Sequence, residues 1–507
     1  MPMKTAIRSS RAQHVGFVKI PTGVPGLDEV LYGGLPRGRT TLLCGGPGSG
    51  KTMLGMQILL QGVLEFNENA VCLAFEENEE ELTANVKNLG YDLRSLIAQK
   101  RLSIDYISVD RNEIEEAGTY DLEGLFVRLD YAIRSVNAKR VLLDSLEYLF
   151  SGLSNEGVVR SEIRRLFRWL KDRGITAVVT AEASAIETQF TRWGLEEYAA
   201  DCVIFLDHRV TEQVSTRRVR VVKYRGTPHG TNEYPFLMDE TGVSVLPITS
   251  LGLTHEAPTE KVSSGVAGLD TMLEGNGFYR GSSVLMTGTG GTGKSTFAVH
   301  FANAACERGE RALVFAFEES PQQILRNMHS VGLDLDKWLK KDQLRIFSTR
   351  PTTIGLEAHL ALMHREVSEV KPSVVVVDPI TNLIAAGNLD QVKSMLTRLI
   401  DYLKNEKITA MFTNLTFQGV EEETAIGISS LMDSWILLSD DDMGMRGRKR
   451  IIKVLKARGM AHASTPAEFA LNEHGIELYD RDGEPLAKVR PVKTLMDGKG
   501  PRKNARK

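Results

Sequence analysis

Two stretches of the sequence have the residue types and spacing of a phosphate-binding loop. They are GGPGSGKT at 45–52 and GTGGTGKS at 288–295. In this pattern the glycines let backbone N–H groups close around a triphosphate, the lysine reaches the β and γ oxygens, and the final hydroxyl holds Mg²⁺. Each stretch follows a short apolar β run and precedes a helical one, so the chain is predicted to bind two nucleotides.

The two loops and the helix starts that follow them supply the predicted ATP contacts. Lys51 and Lys294 are expected at the β and γ phosphates, and Thr52 and Ser295 at Mg²⁺. The predicted ATP-binding residues are Gly48, Ser49, Gly50, Lys51, Thr52 and Met53 in the first half, and Gly290, Gly291, Thr292, Gly293, Lys294, Ser295 and Thr296 in the second.

Carboxylates stand at the ends of apolar runs in both halves. Asp144 and Asp378 each close such a run, where a Walker-B aspartate accepts from the loop hydroxyl or from metal-bound water. The alternative is an ordinary aspartate in a turn at the end of a strand. The repeated position favours the metal-binding interpretation.

Two glutamate pairs follow the next predicted strand, in CLAFEE at 72–77 and VFAFEE at 314–319. A carboxylate beside the γ-phosphate can orient or deprotonate the attacking water. We therefore predict Glu76, Glu77, Glu318 and Glu319 as catalytic residues, with Glu318 also a metal ligand. The alternative is a solvated turn, which is the interpretation we give to residues 79–81.

Basic residues recur near the end of each half, far from the phosphate loop in sequence. VVKYRGTPH at 221–229 corresponds to VLKARGMAH at 454–462. Their duplicated spacing favours binding in trans, to phosphates held by a neighbouring subunit. The alternative is a solvated basic edge strand. The predicted trans contacts are Arg217, Lys223, Tyr224, Arg225, Thr227 and His229, and Arg450, Lys456, Ala457 and Arg458.

These motifs belong to a tandem duplication. TGVPGLDEVLYGGLPRG at 22–38 matches SGVAGLDTMLEGNGFYRG at 264–281, and the later motifs keep their order. Within each half, apolar runs alternate with helical segments. The runs of the first half lie at 40–44, 70–75, 140–144, 175–182 and 202–206. This alternation predicts an α/β fold with a doubly wound, mainly parallel sheet in each half, and nucleotide at the carboxyl ends of the strands.

Length and composition limit the number of domains and the class of protein. The 507 residues suit two domains of about 250 residues each, and 42% apolar residues describe an ordinary globular chain. A net charge of −3 gives no overall attraction to nucleic acid or anionic membrane. The four cysteines form no C-x-x-C pair, and Cys44 and Cys72 are predicted core residues. With no signal-peptide or membrane-spanning run, we expect a cytoplasmic protein.

The duplication also divides the chain. Residues 250–262 are polar and separate the copies, and the segment from residue 486 carries eight Lys or Arg against one Asp. Such composition is typical of a flexible tail. The predicted divisions are an N-terminal arm at 1–14, a first domain at 15–249, a linker at 250–262, a second domain at 263–485 and a basic tail at 486–507.

Taken together, the GLD box, the phosphate loop, the glutamate pair and the Lys-x-Arg-Gly element resemble the KaiC family of circadian-clock ATPases and autokinases, within the RecA/DnaB superfamily. The resemblance covers about residues 15–485. It implies two tandem RecA-like P-loop NTPase domains, a homohexamer of two stacked rings, and ATP with Mg²⁺ between adjacent subunits. It also implies ATP hydrolysis in the first domain and phosphoryl transfer in the second.

The resemblance further implies serine phospho-acceptors in TAIGISSLMDSWILL, at Ser429 and Ser430, preceded by the matching Thr424. Without the resemblance, the residues favour an ordinary serine-containing turn. Ala425 stands where the family usually carries an acidic residue, and Pro379 where it carries serine. A KaiB-like partner on the first domain follows from the resemblance. The basic tail does not resemble the segment that binds KaiA, which argues against a KaiA partner.

Two other functional classes remain open from the sequence. A DNA-handling motor or recombinase of the same superfamily would be expected to carry basic, aromatic-bearing loops or an added zinc or OB module. None is evident, so no specific nucleic-acid binding is expected. A regulatory scaffold in which ATP merely holds the ring together is the third class, and the retained glutamate pairs argue against it.

Overall fold

A computed structural model provides the structure. It describes residues 18–107, 122–150, 156–183, 199–211, 214–247, 258–275, 277–416, 426–442 and 448–487. The predicted N-terminal arm lies outside these residues, as do most of the linker, nearly all of the basic tail, Thr424 and Ala425. The chain forms two compact units whose main boundary in the sequence falls between residues 250 and 251.

The first unit alternates strands and helices as the sequence predicts. Its strands are β1 (Lys19–Ile20), β2 (Leu35–Pro36), β3 (Thr40–Gly45), β4 (Ala70–Ala74), β5 (Leu102–Tyr106), β6 (Arg140–Asp144), β7 (Thr176–Glu182), β8 (Cys202–Thr211), β9 (Val214–Tyr224), β10 (Glu233–Asp239) and β11 (Gly242–Val245). Its helices are α1 (Leu27–Val30), α2 (Lys51–Leu64), α3 (Glu79–Lys87), α4 (Leu93–Ala98), α5 (Glu123–Val136), α6 (Leu146–Phe150) and α7 (Glu156–Asp172).

The second unit repeats this order. Its strands are β12 (Lys261–Val262), β13 (Phe278–Tyr279), β14 (Ser283–Gly288), β15 (Ala312–Ala316), β16 (Leu344–Ser348), β17 (Val374–Asp378), β18 (Thr409–Leu415), β19 (Ser434–Asp442), β20 (Arg448–Ala457), β21 (Ala467–Asn472) and β22 (Gly475–Tyr479). Its helices are α8 (Ala267–Met272), α9 (Lys294–Glu307), α10 (Pro321–His329), α11 (Asp336–Leu339), α12 (Leu356–Val370) and α13 (Leu389–Asn405), with 3-10 helices at Pro351–Thr353 and Ile380–Ala386.

Each unit is built on a nine-stranded sheet. The first has the order β5-β4-β6-β7-β3-β8-β9-β10-β11, and the second has the matching order β16-β15-β17-β18-β14-β19-β20-β21-β22. The strands from β5 to β8 pair in parallel, whereas β9 to β11 continue as an antiparallel meander. These are two tandem α/β domains with mainly parallel sheets, as predicted.

Burial on both faces explains why the central strands are apolar runs. Every residue of β3 is buried. Helices α2, α3 and α4 cover one face of the sheet, and α5 and α7 cover the other. Parallel strands enclosed in this way lose the alternation of apolar and polar residues. All four cysteines are buried and unpaired, which confirms the prediction that Cys44 and Cys72 belong to the core.

One alternative from the sequence is wrong. The strand that carries Lys223 is not an edge strand, because β9 lies between β8 and β10. In the part of the chain that the structure describes, no helix combines the length and the apolar character needed to cross a bilayer.

Candidate nucleotide-binding sites

The phosphate loops leave the carboxyl ends of the central strands β3 and β14. Each loop passes into its helix through a glycine in the left-handed region, Gly50 at φ 98° and Gly293 at φ 100°. A residue with a Cβ is disfavoured at such a φ, so glycine sets the geometry of the helix start. The loop N–H groups and the positive end of the helix dipole then face the same point, which is a binding site for anions.

The loop lysines are held in place by their own loops. Lys51 Nζ donates to the carbonyl oxygens of Gly45 and Gly46 at 2.9 and 3.1 Å. Lys294 Nζ donates to the oxygens of Gly288 and Thr289 at 2.8 and 2.6 Å. Burial lowers the pKa of Lys294 to about 8, although nearby carboxylates act in the opposite direction. Both ammonium groups are therefore positioned at the strand ends, where a triphosphate would meet them.

The other predicted loop residues lie on the same turn. Thr52, Met53, Ser295 and Thr296 are half-buried at the helix starts. Ser49 and Thr292, at equivalent positions, are both buried. Thr292 Oγ1 donates to the carbonyl oxygen of Thr289 at 2.9 Å.

The two predicted Walker-B aspartates close strands β6 and β17, next to the strands that lead to the glutamates. Asp144 pairs with Ala74 and Asp378 with Ala316 across the parallel ladders. In each site a threonine hydroxyl from the neighbouring strand donates to the aspartate Oδ1. The donors are Thr180 and Thr413. One carboxylate oxygen of each aspartate is thereby fixed in direction.

The glutamate pairs lie directly beyond β4 and β15, and their two members differ in environment. Glu76 and Glu318 are exposed, whereas Glu77 and Glu319 are half-buried. An asparagine amide holds each half-buried carboxylate, Asn85 on Glu77 at 3.0 Å and Asn327 on Glu319 at 2.9 Å.

Burial raises the pKa of both Glu77 and Glu319, and the nearby aspartates Asp144 and Asp378 raise it further. A glutamate with a raised pKa is better matched to proton abstraction near neutral pH. Glu77 and Glu319 therefore fit the role of general base better than their exposed neighbours. Glu76 instead accepts a hydrogen bond from Ser145 Oγ at 2.9 Å.

Short caps start the helices that follow the glutamates. Asn78 and Glu81 form a reciprocal capping box at α3, and Ser320 and Gln323 form one at α10. Such a box satisfies two backbone N–H groups that the first turn leaves open. The caps fix the chain immediately after each glutamate pair, which limits where the carboxylates can point.

The Lys-x-Arg-Gly elements lie at the other end of the central strands. Arg225 N donates to the carbonyl oxygen of Asp201, and Asp201 N donates to that of Thr40, the first residue of β3. The second unit repeats both bonds with Arg458, Asp433 and Ser283. In one chain, therefore, each basic element and its own phosphate loop are at opposite ends of a six-residue strand.

A β-bulge sets the direction of each lysine. Val203 pairs with Lys223 but Ile204 pairs with Val221, so Val222 is an extra residue. In an unbroken strand Val221 and Lys223 would share a face, which would place the lysine in the core beside α2. The bulge places Tyr224 there instead and leaves Lys223 on the opposite face.

The same bulge occurs in the second unit, between Trp435 and Ile436 of β19. Trp435 pairs with Lys456, whereas Ile436 pairs with Val454. Leu455 is therefore the extra residue of β20. Both lysines owe their orientation to the same irregularity of the backbone.

The remaining predicted trans residues separate into two groups. Tyr224 is buried and donates its hydroxyl to the carbonyl oxygen of Gly34 at 2.8 Å, so its side chain serves the fold. Thr227 Oγ1 donates to the carbonyl oxygen of its neighbour Pro228. Ala457 offers no polar side-chain atom. His229 has a buried Nδ1 without a partner among the described residues.

Arg217 and Arg450 lie away from the Lys-x-Arg-Gly elements. They face His208 and Asp440 across the ladders, toward the end of the sheet that carries the phosphate loop. Asp440 is close enough to Lys294 to affect its pKa. These arginines and the lysines six residues later are thus at opposite ends of the same strands, and a shared role in trans stays a prediction.

The predicted phospho-acceptor serines form a turn that rests on the second basic element. Ser429 is half-buried and Ser430 is exposed. Lys456 Nζ donates to the carbonyl oxygen of Ser429 at 3.0 Å, and Arg458 Nη2 donates to that of Ser430 at 2.7 Å. Both hydroxyls lie three or four residues before Asp433.

Asp433 anchors this turn to the start of β14. It accepts from Ser283 N and Oγ at 2.9 and 3.0 Å and forms an ion pair with Lys404 at 2.8 Å. Burial acts to raise the pKa of Asp433, but the hydrogen bonds and the charge of Lys404 outweigh it and hold the pKa below its ordinary value. The aspartate therefore stays ionised beside the serines.

Comparison with known proteins decides the family. The family model described as the KaiC ATPase matches residues 20–250 and again residues 262–483. The chain belongs to the KaiC family.

Individual relatives agree over nearly the whole length. The chain is similar to the circadian clock protein KaiC2 of Synechocystis sp., with 49% identity over 496 residues, 96% of this chain and 87% of the relative. It is similar to the circadian clock oscillator protein KaiC of Thermostichus vulcanus, at 37% identity over 95% of this chain and 93% of the relative. The circadian clock oscillator protein KaiC of Synechococcus elongatus is 34% identical over 97% of this chain and 95% of the relative.

Sequence reasoning missed several residues that position the site in this KaiC-family chain. Thr180 and Thr413 hold the aspartates, and Asn85 and Asn327 hold the half-buried glutamates. Each pair occupies one position in the two copies. A residue-by-residue comparison of the copies would have found them.

Two further features of the repeat were missed, and a comparison of the two copies would have found them as well. His462 stands where the first copy has His229, and its Nδ1 is likewise buried without a partner in the described ranges. The GLD aspartates are structural. Asp28 accepts from Thr22 N and Asp270 from Ser264 N, both at 2.8 Å, so each closes the turn before its first helix.

Proposed function

We propose that this chain is an ATP-binding and ATP-hydrolysing homohexamer with serine autokinase activity in its second domain, acting as a regulatory switch of the clock type. Membership of the KaiC ATPase family supports the ATPase part, and relatives named as circadian clock proteins support the regulatory part. Hexamer formation and phosphoryl transfer go beyond that support and are argued from the site geometry.

One observation carries the proposal. The phosphate loop and the Lys-x-Arg-Gly element of each unit lie at opposite ends of a six-residue strand. At about 3.3 Å per residue they are about 16 Å apart, beyond the reach of a side chain. A basic element at that distance serves a nucleotide only if the nucleotide belongs to another subunit. Head-to-tail contacts of this kind form a ring when the rotation from one subunit to the next closes.

In the first domain we propose hydrolysis. Lys51 and the loop amides would bind the phosphates, while Thr52 and Asp144 would hold Mg²⁺ with the nucleotide. Within the described ranges no three His, Cys, Asp or Glu side chains are grouped to hold a metal by themselves. Mg²⁺ in nucleotide sites typically takes one or two protein ligands and completes its shell with phosphates and water. Glu77 would accept the proton of the attacking water, held in position by Asn85.

In the second domain we propose transfer to serine. The Oγ atom of Ser429 or Ser430 would attack the γ-phosphorus of ATP bound at a neighbouring Lys294 loop, with ADP as the leaving group. Glu319 of that site, or Glu318, would take the hydroxyl proton, and Ser295 and Asp378 would hold Mg²⁺. Arg458 and Lys456 lie beside the serines, where their charge would stabilise the phosphoryl group in transfer.

We propose a cytoplasmic protein with a KaiB-like partner on the first domain. Neither a KaiA partner nor specific nucleic-acid binding is part of this proposal.

The test combines assembly with chemistry. Light scattering should give a monomer without nucleotide and a hexamer with ATP. Peptide mapping after incubation with Mg-ATP should find phosphate on Ser429 or Ser430, and a Lys294→Ala variant should lack it. A chain that stays monomeric in saturating ATP contradicts the ring. A hexamer with both serines unmodified contradicts the autokinase and leaves a plain ATPase.

A further inference from the structure

Helix α7 of the first unit presents a row of cations to solvent. Arg160, Arg164, Arg168 and Lys171 are exposed and recur at intervals of four, four and three residues, so they share one face of the helix. We call this row the arginine surface. None of the four has a carboxylate partner among the described residues. Like charges four residues apart destabilise an isolated helix, so helix stability does not explain the row.

The second unit is an internal reference for this row. Helix α13 has the same length and place as α7, since both have 17 residues and precede equivalent strands. Thr397 and Asp401 stand where α7 has Arg164 and Arg168, whereas Lys393 keeps the positive charge of Arg160. The cation at the last position, Lys404, is paired with Asp433 at 2.8 Å. The common fold therefore does not require the two central arginines, and the complete row is a property of the first unit.

An opposite charge is also confined to the first unit. The first turn of α3 carries Glu79, Glu80 and Glu81, all exposed, whereas α10 has Pro321, Gln322 and Gln323 at the same places. The carboxylates of Glu79 and Glu80 have no basic partner in the part of the chain that the structure describes. We call residues 79–81 the acidic turn.

Each surface adjoins one half of the proposed intersubunit site. The arginine surface borders a groove of about 580 Å³, and its Arg168 and Lys171 also line a smaller groove with Arg225. The acidic turn begins two residues after Glu77, at the nucleotide end of the sheet. If Arg225 of one subunit contacts the nucleotide bound by the next subunit, the arginine surface beside Arg225 faces the acidic turn beside that nucleotide.

We propose that the arginine surface of one copy docks on the acidic turn of the next copy, so that the first-domain ring carries a charge-complementary contact that the second-domain ring lacks. The inference rests on the proposed head-to-tail ring. Contacts of this kind favour the correct partner and weaken with salt. The first-domain interface is therefore the salt-sensitive one.

Charge reversal and rescue test the contact. Reversal of the arginine surface (Arg164→Glu/Arg168→Glu) and reversal of the acidic turn (Glu79→Lys/Glu80→Lys) should each raise the protein concentration for half-assembly in ATP by about tenfold or more, because like charges then face each other. The chain carrying all four changes should return to within about threefold of the unmodified chain, because the attraction is restored with opposite sign.

The controls separate the contact from general effects. Arg94→Glu/Lys100→Glu makes the same change in net charge at exposed positions and should leave assembly unchanged. Arg164→Gln/Arg168→Gln should give an intermediate loss with less risk to folding, which circular dichroism would check.

Three results would overturn the inference without touching the proposed function. The reversed variants could assemble like the unmodified chain, or the fourfold variant could assemble no better than either reversal. In a separate binding measurement with a single-stranded oligonucleotide, the reversed arginine surface could bind more weakly while assembly stays intact. An unmodified chain that stays monomeric in ATP would instead overturn the ring itself.

Discussion

The ammonium group of Lys456 donates to the backbone oxygen of Ser429 at 3.0 Å. Lys456 is predicted to act on a neighbour's phosphate and Ser429 to receive phosphate, so one contact joins two predicted roles. Burial lowers the pKa of Lys456, and the nearby charge of Arg458 lowers it further. The lysine is thus spatially linked to the acceptor turn before any second subunit arrives.

This contact leads to a first prediction. Lys456→Met keeps the length of the side chain but removes the donor, so the Ser429 turn loses its support. We expect phosphate on Ser429 and Ser430 to fall on the order of 10²-fold, since small displacements of reacting groups have effects of that size. Quantitative peptide mapping after incubation with Mg-ATP measures it. Lys449→Met, on the same strand but paired with Glu468, should leave the phosphate unchanged.

A second prediction concerns the first-domain glutamates. Glu76→Gln/Glu77→Gln keeps side-chain size and removes the basic carboxylates, so first-domain hydrolysis should fall on the order of 10²–10⁴-fold. Nucleotide should still bind, because Lys51 and Thr52 are intact. Phosphate release and ATP binding are measured in a Glu318→Gln/Glu319→Gln background. Glu65→Gln, at an exposed site, is the matched control, and an unchanged rate in the double variant would refute the assignment.

A third prediction is a shift in pH dependence. Glu77 must be ionised to accept a proton, so activity is lost as the pH falls through its raised pKa. The Asn85 hydrogen bond lowers that pKa, and Asn85→Ala should therefore move the acid limb of kcat/KM to higher pH. Asn88→Ala, on the exposed end of α3, should not move it. An acid limb that moves downward in Asn85→Ala would exclude Glu77 as the base.

A fourth prediction concerns the support of Asp144. Thr180→Val keeps the shape of the side chain but removes the hydroxyl that donates to the aspartate. Loss of a residue that orients a metal ligand typically lowers metal affinity about 10–100-fold. Titration of first-domain ATPase activity with Mg²⁺ should show that the variant needs about 10–100-fold more Mg²⁺ for half-maximal activity. Thr40→Val, at the end of β3 that is distant from the phosphate loop, should leave the titration unchanged.

Much of the fold follows from the sequence because its signals are local. Buried parallel strands are apolar runs, and the runs at 40–44 and 140–144 are strands β3 and β6. The phosphate loops carry their own pattern of glycines. The strand order beyond β8 was not predictable in this way, because antiparallel pairing of β9 with β8 and β10 depends on contacts distant in sequence.

The details of the site were harder to predict, since they depend on backbone irregularity and tertiary contact. The alternation of Val219, Val221 and Lys223 suggests one face, and only the bulge at Val222 separates them. The support of Glu77 by Asn85 needs the turn of α3 to bring two positions eight residues apart together. A comparison of the two copies would supply this information, because a residue with the same structural role in both domains is the same residue type at the same position of each copy.

The placement of the two functional elements at opposite ends of β3 has a genetic consequence. If each site combines the loop of one chain with the basic element of another, chains damaged at different ends can complement each other. A Lys51→Ala chain and an Arg225→Ala chain would each be inactive in the first domain alone. Mixed at random in one ring, they would regenerate intact sites at about a quarter of the interfaces.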